Sequence, residues 1–104
     1  MIICGGENIY PTEVENRIIA HRDVGDVAVV PRADEIKGEV PVAFVVPKPG
    51  AALDEEAIKA FALETGPAYQ HPRAVYLMDE LPLTAAKKID RTRLTELAKE
   101  KASE

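Results

Sequence analysis

The sequence has a single cysteine, Cys4, so it can form no internal disulfide, which fits a reducing, cytoplasmic setting. No base lies near Cys4 in the sequence to activate its thiol, and a small, partly buried role is expected. No apolar run approaches the roughly 20 residues of a membrane span. Residues 1–4 are too few, and lack the basic start, for a secretory signal. Positive charge is scarce: 13 Lys and Arg stand against 18 Asp and Glu, a net charge of −5. That removes the electrostatic basis for binding nucleic acid or an anionic membrane. The two histidines, His21 and His71, have no companion at metal-ligand spacing, so no metal site is expected. Internal repeats and low-complexity tracts are missing too.

What remains is a chain of 104 residues, 46% hydrophobic, enough for one domain with one small core. It is too short for a nucleotide site of the usual kind plus a substrate pocket. Thr12 and Glu15 read as a capping box opening a helix to about Ala20 or His21, with Val14 and Ile18 inward and Glu13 paired to Arg17. Residues 26–30 are valine-rich and predict a strand, followed by a polar turn at 31–35. Residues 39–46 predict the strongest strand. Val40, Val42, Phe44 and Val46 share one face and Pro41, Ala43 and Val45 the other, so the strand should be central. Pro41 argues against full pairing at its start.

Asp54 caps a second helix, Leu53 and Ile58 staple it, and Gly66-Pro67 stops it. A short strand is predicted at 74–78. Asp90 caps the last helix, with Ile89 and Leu94 as its staple, and the tail from Lys99 to Glu104 should fray. The expected fold class is α+β: a small two-layer domain with a sheet of about three strands packed with three helices.

Two stretches invite a functional reading. Gly5-Gly6 frees the backbone for conformations closed to other residues, as a plain turn uses. Residues 84–88 should form an exposed loop carrying Lys87 and Lys88. A loop lysine on a rigid scaffold offers a mobile cation for a carboxylate or phosphate, although a lysine pair alone is most often only a solvated surface.

The stretch Pro82-Leu83-Thr84-Ala85-Ala86-Lys87-Lys88-Ile89-Asp90-Arg91 resembles the final signature of the adenylate-forming enzymes: acyl-CoA synthetases, peptide-synthetase adenylation domains and luciferases. Gly5-Gly6-Glu7-Asn8-Ile9-Tyr10-Pro11-Thr12-Glu13-Val14-Glu15 is similar to the opening of their small C-terminal domain, in the acyl-CoA synthetase form. Gly38-Glu39-Val40-Pro41-Val42-Ala43-Phe44-Val45 resembles the family's central strand. Tyr69-Gln70-His71-Pro72-Arg73 resembles a further stretch, with Gln70 where lysine is common. These matches follow in order over nearly the whole chain.

The resemblance implies that residues 1–104 are the mobile C-terminal domain of an acyl-CoA synthetase, a cytoplasmic enzyme of fatty acid metabolism. Such an enzyme uses ATP, with Mg2+, to convert a carboxylic acid into an acyl-adenylate, then passes the acyl group to coenzyme A. By register Lys88 is the adenylation lysine. Gly5, Gly6, Glu7 and Asn8 form the loop that borders the thiol channel once the domain rotates. The partner is the large N-terminal domain of the same enzyme, whose phosphate loop and acyl pocket are absent from these residues, so a piece of a longer protein, inactive alone, is expected. One departure stands out: Lys87 occupies the place of the signature's glycine. Two other readings are a free-standing binding or regulatory module, and an adenylation module serving a carrier protein.

Overall fold

The computed structural model describes residues 1–102; of the tail expected to fray, residues 103 and 104 lie outside them. The elements run β1 (Ile2–Cys4), β2 (Glu7–Ile9), α1 (Pro11–Ile19), β3 (Val24–Asp34), β4 (Gly38–Pro47), α2 (Glu55–Thr65), a 3-10 turn (Ala68–Gln70), β5 (Ala74–Leu77) and α3 (Arg91–Ala102). The sheet has the order β2-β1-β4-β3, with β5 parallel to β4 and every other pairing antiparallel. β3 lines one edge of β4 throughout. The other edge is shared, with β1 at Gly38 and β5 at residues 42–45.

The class and the three helices are as the sequence predicts, and β4 is central. Two features differ. The sheet has five strands, not about three, because β1 and β2 are only three residues each, too short to display alternation. The helices also divide between both faces, giving three layers instead of two. Val14, Ile18 and Ile58 of α1 and α2 pack with Val27, Val29, Ala43 and Val45. Leu94 and Ala98 of α3 pack with Ala28, Val30, Val42 and Phe44 on the opposite side. The cause is visible in β4 itself: a strand apolar on both faces needs cover on both.

Pro31 does not begin a turn. β3 continues to Asp34, with Pro31 opposite Pro41. The Pro41 carbonyl points away from β3 and accepts from Arg73 N at 2.9 Å. Its missing N–H therefore falls where β1 has ended and β5 has not begun, and no ladder bond is lost. Asp34 Oδ2 then closes the β3–β4 turn, accepting from Ile36 N (3.1 Å) and Lys37 N (2.8 Å).

The helix caps divide the same way. Asp54 Oδ1 accepts from Ala57 N at 2.8 Å and Asp90 Oδ1 from Arg93 N at 3.0 Å, as predicted. Thr12 is not a cap. α1 starts one residue earlier at Pro11, whose fixed φ is ready for a first helical position, and Tyr10 precedes it without a side-chain cap bond. Glu13 and Arg17 do not pair directly. The buried amide of Gln70 lies between them, accepting from Arg17 Nη1 at 2.7 Å and donating to Glu13 Oε2 at 3.2 Å. A buried amide needs such partners, and the helix face supplies both.

The outer side of β5 is closed by a side chain. Val75 N donates to Glu55 Oε2 at 3.1 Å, and Lys59 Nζ lies 3.2 Å from the same oxygen. The Val75 N–H, with Lys59 in support, holds the Glu55 carboxyl below its usual pKa of 4.5. A carboxyl lowered on folding contributes stability above its unfolded pKa and loses it as pH falls through the folded value. The stability gap between the parent chain and Glu55→Gln, measured by urea unfolding, should therefore be largest near neutrality and shrink below about pH 4. A gap that stays constant from pH 7 to pH 3 would show that the Glu55 charge contributes nothing.

Candidate functional site

The lysine stretch is a small hairpin. Leu83 and Ile89 form an antiparallel bridge, and Thr84 N donates to Lys88 O at 2.7 Å. Lys87 N donates back to Thr84 O at 2.8 Å, which leaves Ala85, Ala86 and Lys87 as the loop. In three-residue hairpin loops of this kind a left-handed residue follows a type I turn. Here that residue is Lys87, at φ +63, the only non-glycine residue with positive φ among the described residues. The hairpin thus keeps the shape glycine would take, and lysine bears the steric cost. Lys88 N approaches Thr84 Oγ1 at 3.4 Å, and its side chain is exposed. Neither lysine ammonium has a partner among the described residues. The base of the hairpin is fixed, with Leu81 and Ile89 packed under α3.

A brace that the sequence does not announce holds the exit of this hairpin. Arg91, three residues after Lys88, forks onto Glu15 of α1, Nη1 to Oε2 at 2.7 Å and Nη2 to Oε1 at 3.2 Å. Arg91 Nη1 also donates to Val29 O (3.2 Å), while Glu15 Oε2 accepts from Val29 N (2.7 Å). The hydrogen bond that Arg91 donates to Glu15 raises the Arg91 pKa, so its charge is permanent. One ion pair thereby ties α1, β3 and α3 together. In the sequence Glu15 reads as a capping-box residue. Its partner lies 76 residues away, and no local pattern signals it.

The glycine pair forms the turn of the β1–β2 hairpin. Gly5 (φ +58) and Gly6 (φ +88) are both left-handed, and Cys4 sits opposite Glu7. This is the geometry of a two-residue type I′ turn, where glycine is favoured. Gly5 N donates to Lys37 O at 2.8 Å, which fastens the turn to the β3–β4 connection. A Cβ on Gly5 would meet Lys37 Cδ at 3.2 Å, whereas one on Gly6 would meet nothing within 4 Å. Glu7 and Asn8 follow on β2, both exposed. Ile2, Cys4 and Ile9 anchor this hairpin to the α1–α2 side, so the two hairpins belong to opposite faces of the sheet.

The remaining candidates are structural. Cys4 is buried, with Arg73 Nη2 3.5 Å from its sulfur. His21 packs edge-on against Phe61 and accepts from Asp23 N through Nδ1. His71 is half-buried, with Nδ1 2.6 Å from Ala68 O, because the 3-10 turn folds back over it. Among the described residues no three His, Cys, Asp or Glu come together to hold a metal, and no helix is long and apolar enough to cross a membrane. A cleft of about 600 Å3 lies between β5 and α3 (Pro47, Leu77, Met78, Leu97 and Lys101) and contains neither Lys88 nor the glycines. Lys88 and the Gly5-Gly6 turn both stand on open surface.

The chain is similar to known proteins in both sequence and fold. The family described as the AMP-binding enzyme C-terminal domain matches residues 13–88, ending at Lys88. The 2-succinylbenzoate–CoA ligase of Bacillus cytotoxicus is 46% identical over 101 residues, which is 97% of this chain and 21% of the ligase. Among solved structures, a fatty acyl CoA synthetase of Mycobacterium tuberculosis superposes with a TM-score of 0.88 at 35% identity, over 97% of this chain and 20% of that one. ATP-bound MatB from Rhodopseudomonas palustris gives 0.88 at 31% identity, over 93% and 19%. The chain thus spans about a fifth of the length of the relatives it matches. On these grounds the chain belongs to the AMP-binding enzyme C-terminal domain family of the acyl-CoA ligases.

Proposed function

We propose that the chain is the mobile C-terminal domain of an ATP-dependent acid–thiol ligase, with a large N-terminal domain of the same polypeptide as its partner. A carboxylate oxygen attacks the α-phosphorus of ATP and pyrophosphate leaves, giving the acyl-adenylate. The sulfur of coenzyme A then attacks the acyl carbonyl, AMP leaves and a thioester forms. The barrier in the first step is the approach of two anions. The observation that carries the reading is the Lys88 ammonium, exposed and unpartnered on a hairpin whose base is anchored in the core. Between carboxylate and α-phosphate it offsets their repulsion and orients them, most strongly where water is excluded. Mg2+ accompanying ATP would supply further charge neutralisation when bound.

The second step needs the lysine withdrawn and the thiol admitted. Because the two hairpins sit on opposite faces, rotation of the whole domain exchanges one for the other. Gly5 and Gly6 then line the thiol's path, with Glu7 and Asn8 beside them. The brace between Arg91 and Glu15 keeps the domain one body during that rotation. The acid is selected outside this chain, in the large domain.

Alone, the chain presents only one wall, and a ligand site needs an enclosed surface. Calorimetric titration of the 104-residue chain with ATP and with coenzyme A should give no measurable heat of binding at micromolar ligand. Micromolar affinity for either would contradict this reading and favour a free-standing binding module.

A further inference from the structure

Lys87 holds the left-handed position of its hairpin at φ +63, which costs a side chain what glycine avoids. The hairpin bonds from Lys87 N to Thr84 O and from Thr84 N to Lys88 O hold that backbone, but the Lys87 ammonium has no partner among the described residues. A lysine kept at a position that glycine fills at lower cost, with its cation left unpartnered, points to a function for that cation. We infer that Lys87 is a second substrate-binding cation, holding the β- and γ-phosphates of ATP while Lys88 serves the carboxylate and α-phosphate. The inference rests on the reading of Lys88 given above.

The chemistry favours the polyphosphate over the acid. The carboxylate and the α-phosphate each carry one charge, and one ammonium between them suffices. Most of the negative charge of ATP lies on the two phosphates that depart. Adjacent Cα atoms are about 3.8 Å apart, and two flexible lysine stems can spread their charges over neighbouring phosphates. A lysine acts there as a point charge and requires no fixed fork geometry. No covalent bond to either lysine forms or breaks.

The test uses Lys87→Gly and Lys87→Arg in the ligase that carries this chain, with Lys88→Ala in parallel and thermal unfolding of the 104-residue chain alongside. Lys87→Gly should raise the melting temperature by roughly 4 °C, because the strain is removed. The same variant should raise the KM for ATP in adenylation about tenfold, because a charged contact is lost. Lys87→Arg should keep the parental KM. Opposite signs for stability and ATP affinity are what a merely structural residue cannot produce. An unchanged KM in Lys87→Gly, an equal shift in the glycine and arginine variants, or a lower melting temperature for Lys87→Gly overturns the inference. If Lys88→Ala leaves adenylation intact, the reading of the hairpin itself fails. If Lys88→Ala abolishes adenylation while Lys87→Gly leaves the KM unmoved, only the second cation is lost.

Discussion

Lys88→Ala in the ligase that carries this domain is expected to slow acyl-adenylate formation by about 10²–10³-fold, a loss of roughly 3–4 kcal/mol of transition-state stabilisation. It should largely spare thioester formation from supplied acyl-adenylate. The size follows from where the charge acts. A single ammonium placed between two anions in a closed site is worth far more than the same group in water. The register of the signature assigns the effect to Lys88, which sits in the returning arm of the hairpin, hydrogen-bonded through its carbonyl to Thr84 N. Its backbone is therefore fixed while its side chain is free. Lys87 sits one residue earlier, in the loop proper. Measuring both half-reactions separately is decisive. Equal losses in the two steps would mean that the substitution damages the domain, not the adenylation chemistry. A larger adenylation loss from Lys87→Ala than from Lys88→Ala would mean that the register is wrong by one.

The second large effect is expected at the other hairpin. Gly6→Leu should slow acyl transfer to coenzyme A by up to about a hundredfold, and adenylation much less. Two features of the turn support this. No atom lies within 4 Å of a Cβ at Gly6, so a side chain there would project outward into the path proposed for the thiol. The left-handed φ of +88 also means that leucine strains the turn by about 1–2 kcal/mol. Gly6→Asn separates the two causes, since asparagine tolerates the left-handed region better and is smaller. Its thioester rate should fall between those of the parent and the leucine variant. Adenylation by the same preparations reports whether the domain still folds and docks. A thioester step that is unchanged in Gly6→Leu would remove this loop from the mechanism.

Much of this architecture was legible before any coordinates. The amphipathic pattern of α1, the double apolar face of β4 and the caps Asp54 and Asp90 depend on neighbours in sequence, and all four appear where they were read. The lysine pair was placed in a loop by the same local logic, and the αL cost at Lys87 was foreseeable from a lysine in a glycine position. The misreadings share another cause. Thr12 and Glu15 satisfy a local capping rule, but Pro11 begins the helix and Glu15 is engaged by Arg91 and Val29. Glu13 and Arg17 are well spaced for a pair, yet buried Gln70 claims both.

The division is one of range. The sequence by itself determined which segments are helices, which strand is central and which residues carry mobile charge, because periodicity, capping and composition act over a few neighbouring residues. Only the tertiary structure decided which partners the polar side chains take. Arg91 meets Glu15 across 76 residues, Val75 N–H meets Glu55 across 20, and Gln70 reaches back 57 to Glu13. Each of these groups has several partners of suitable chemistry in the chain, and burial and chain path select one. The same holds for the two hairpins. Their turns are written locally in Gly5-Gly6 and in residues 84–88, but their seating on opposite faces follows from how the cores on the two sides of β4 are filled.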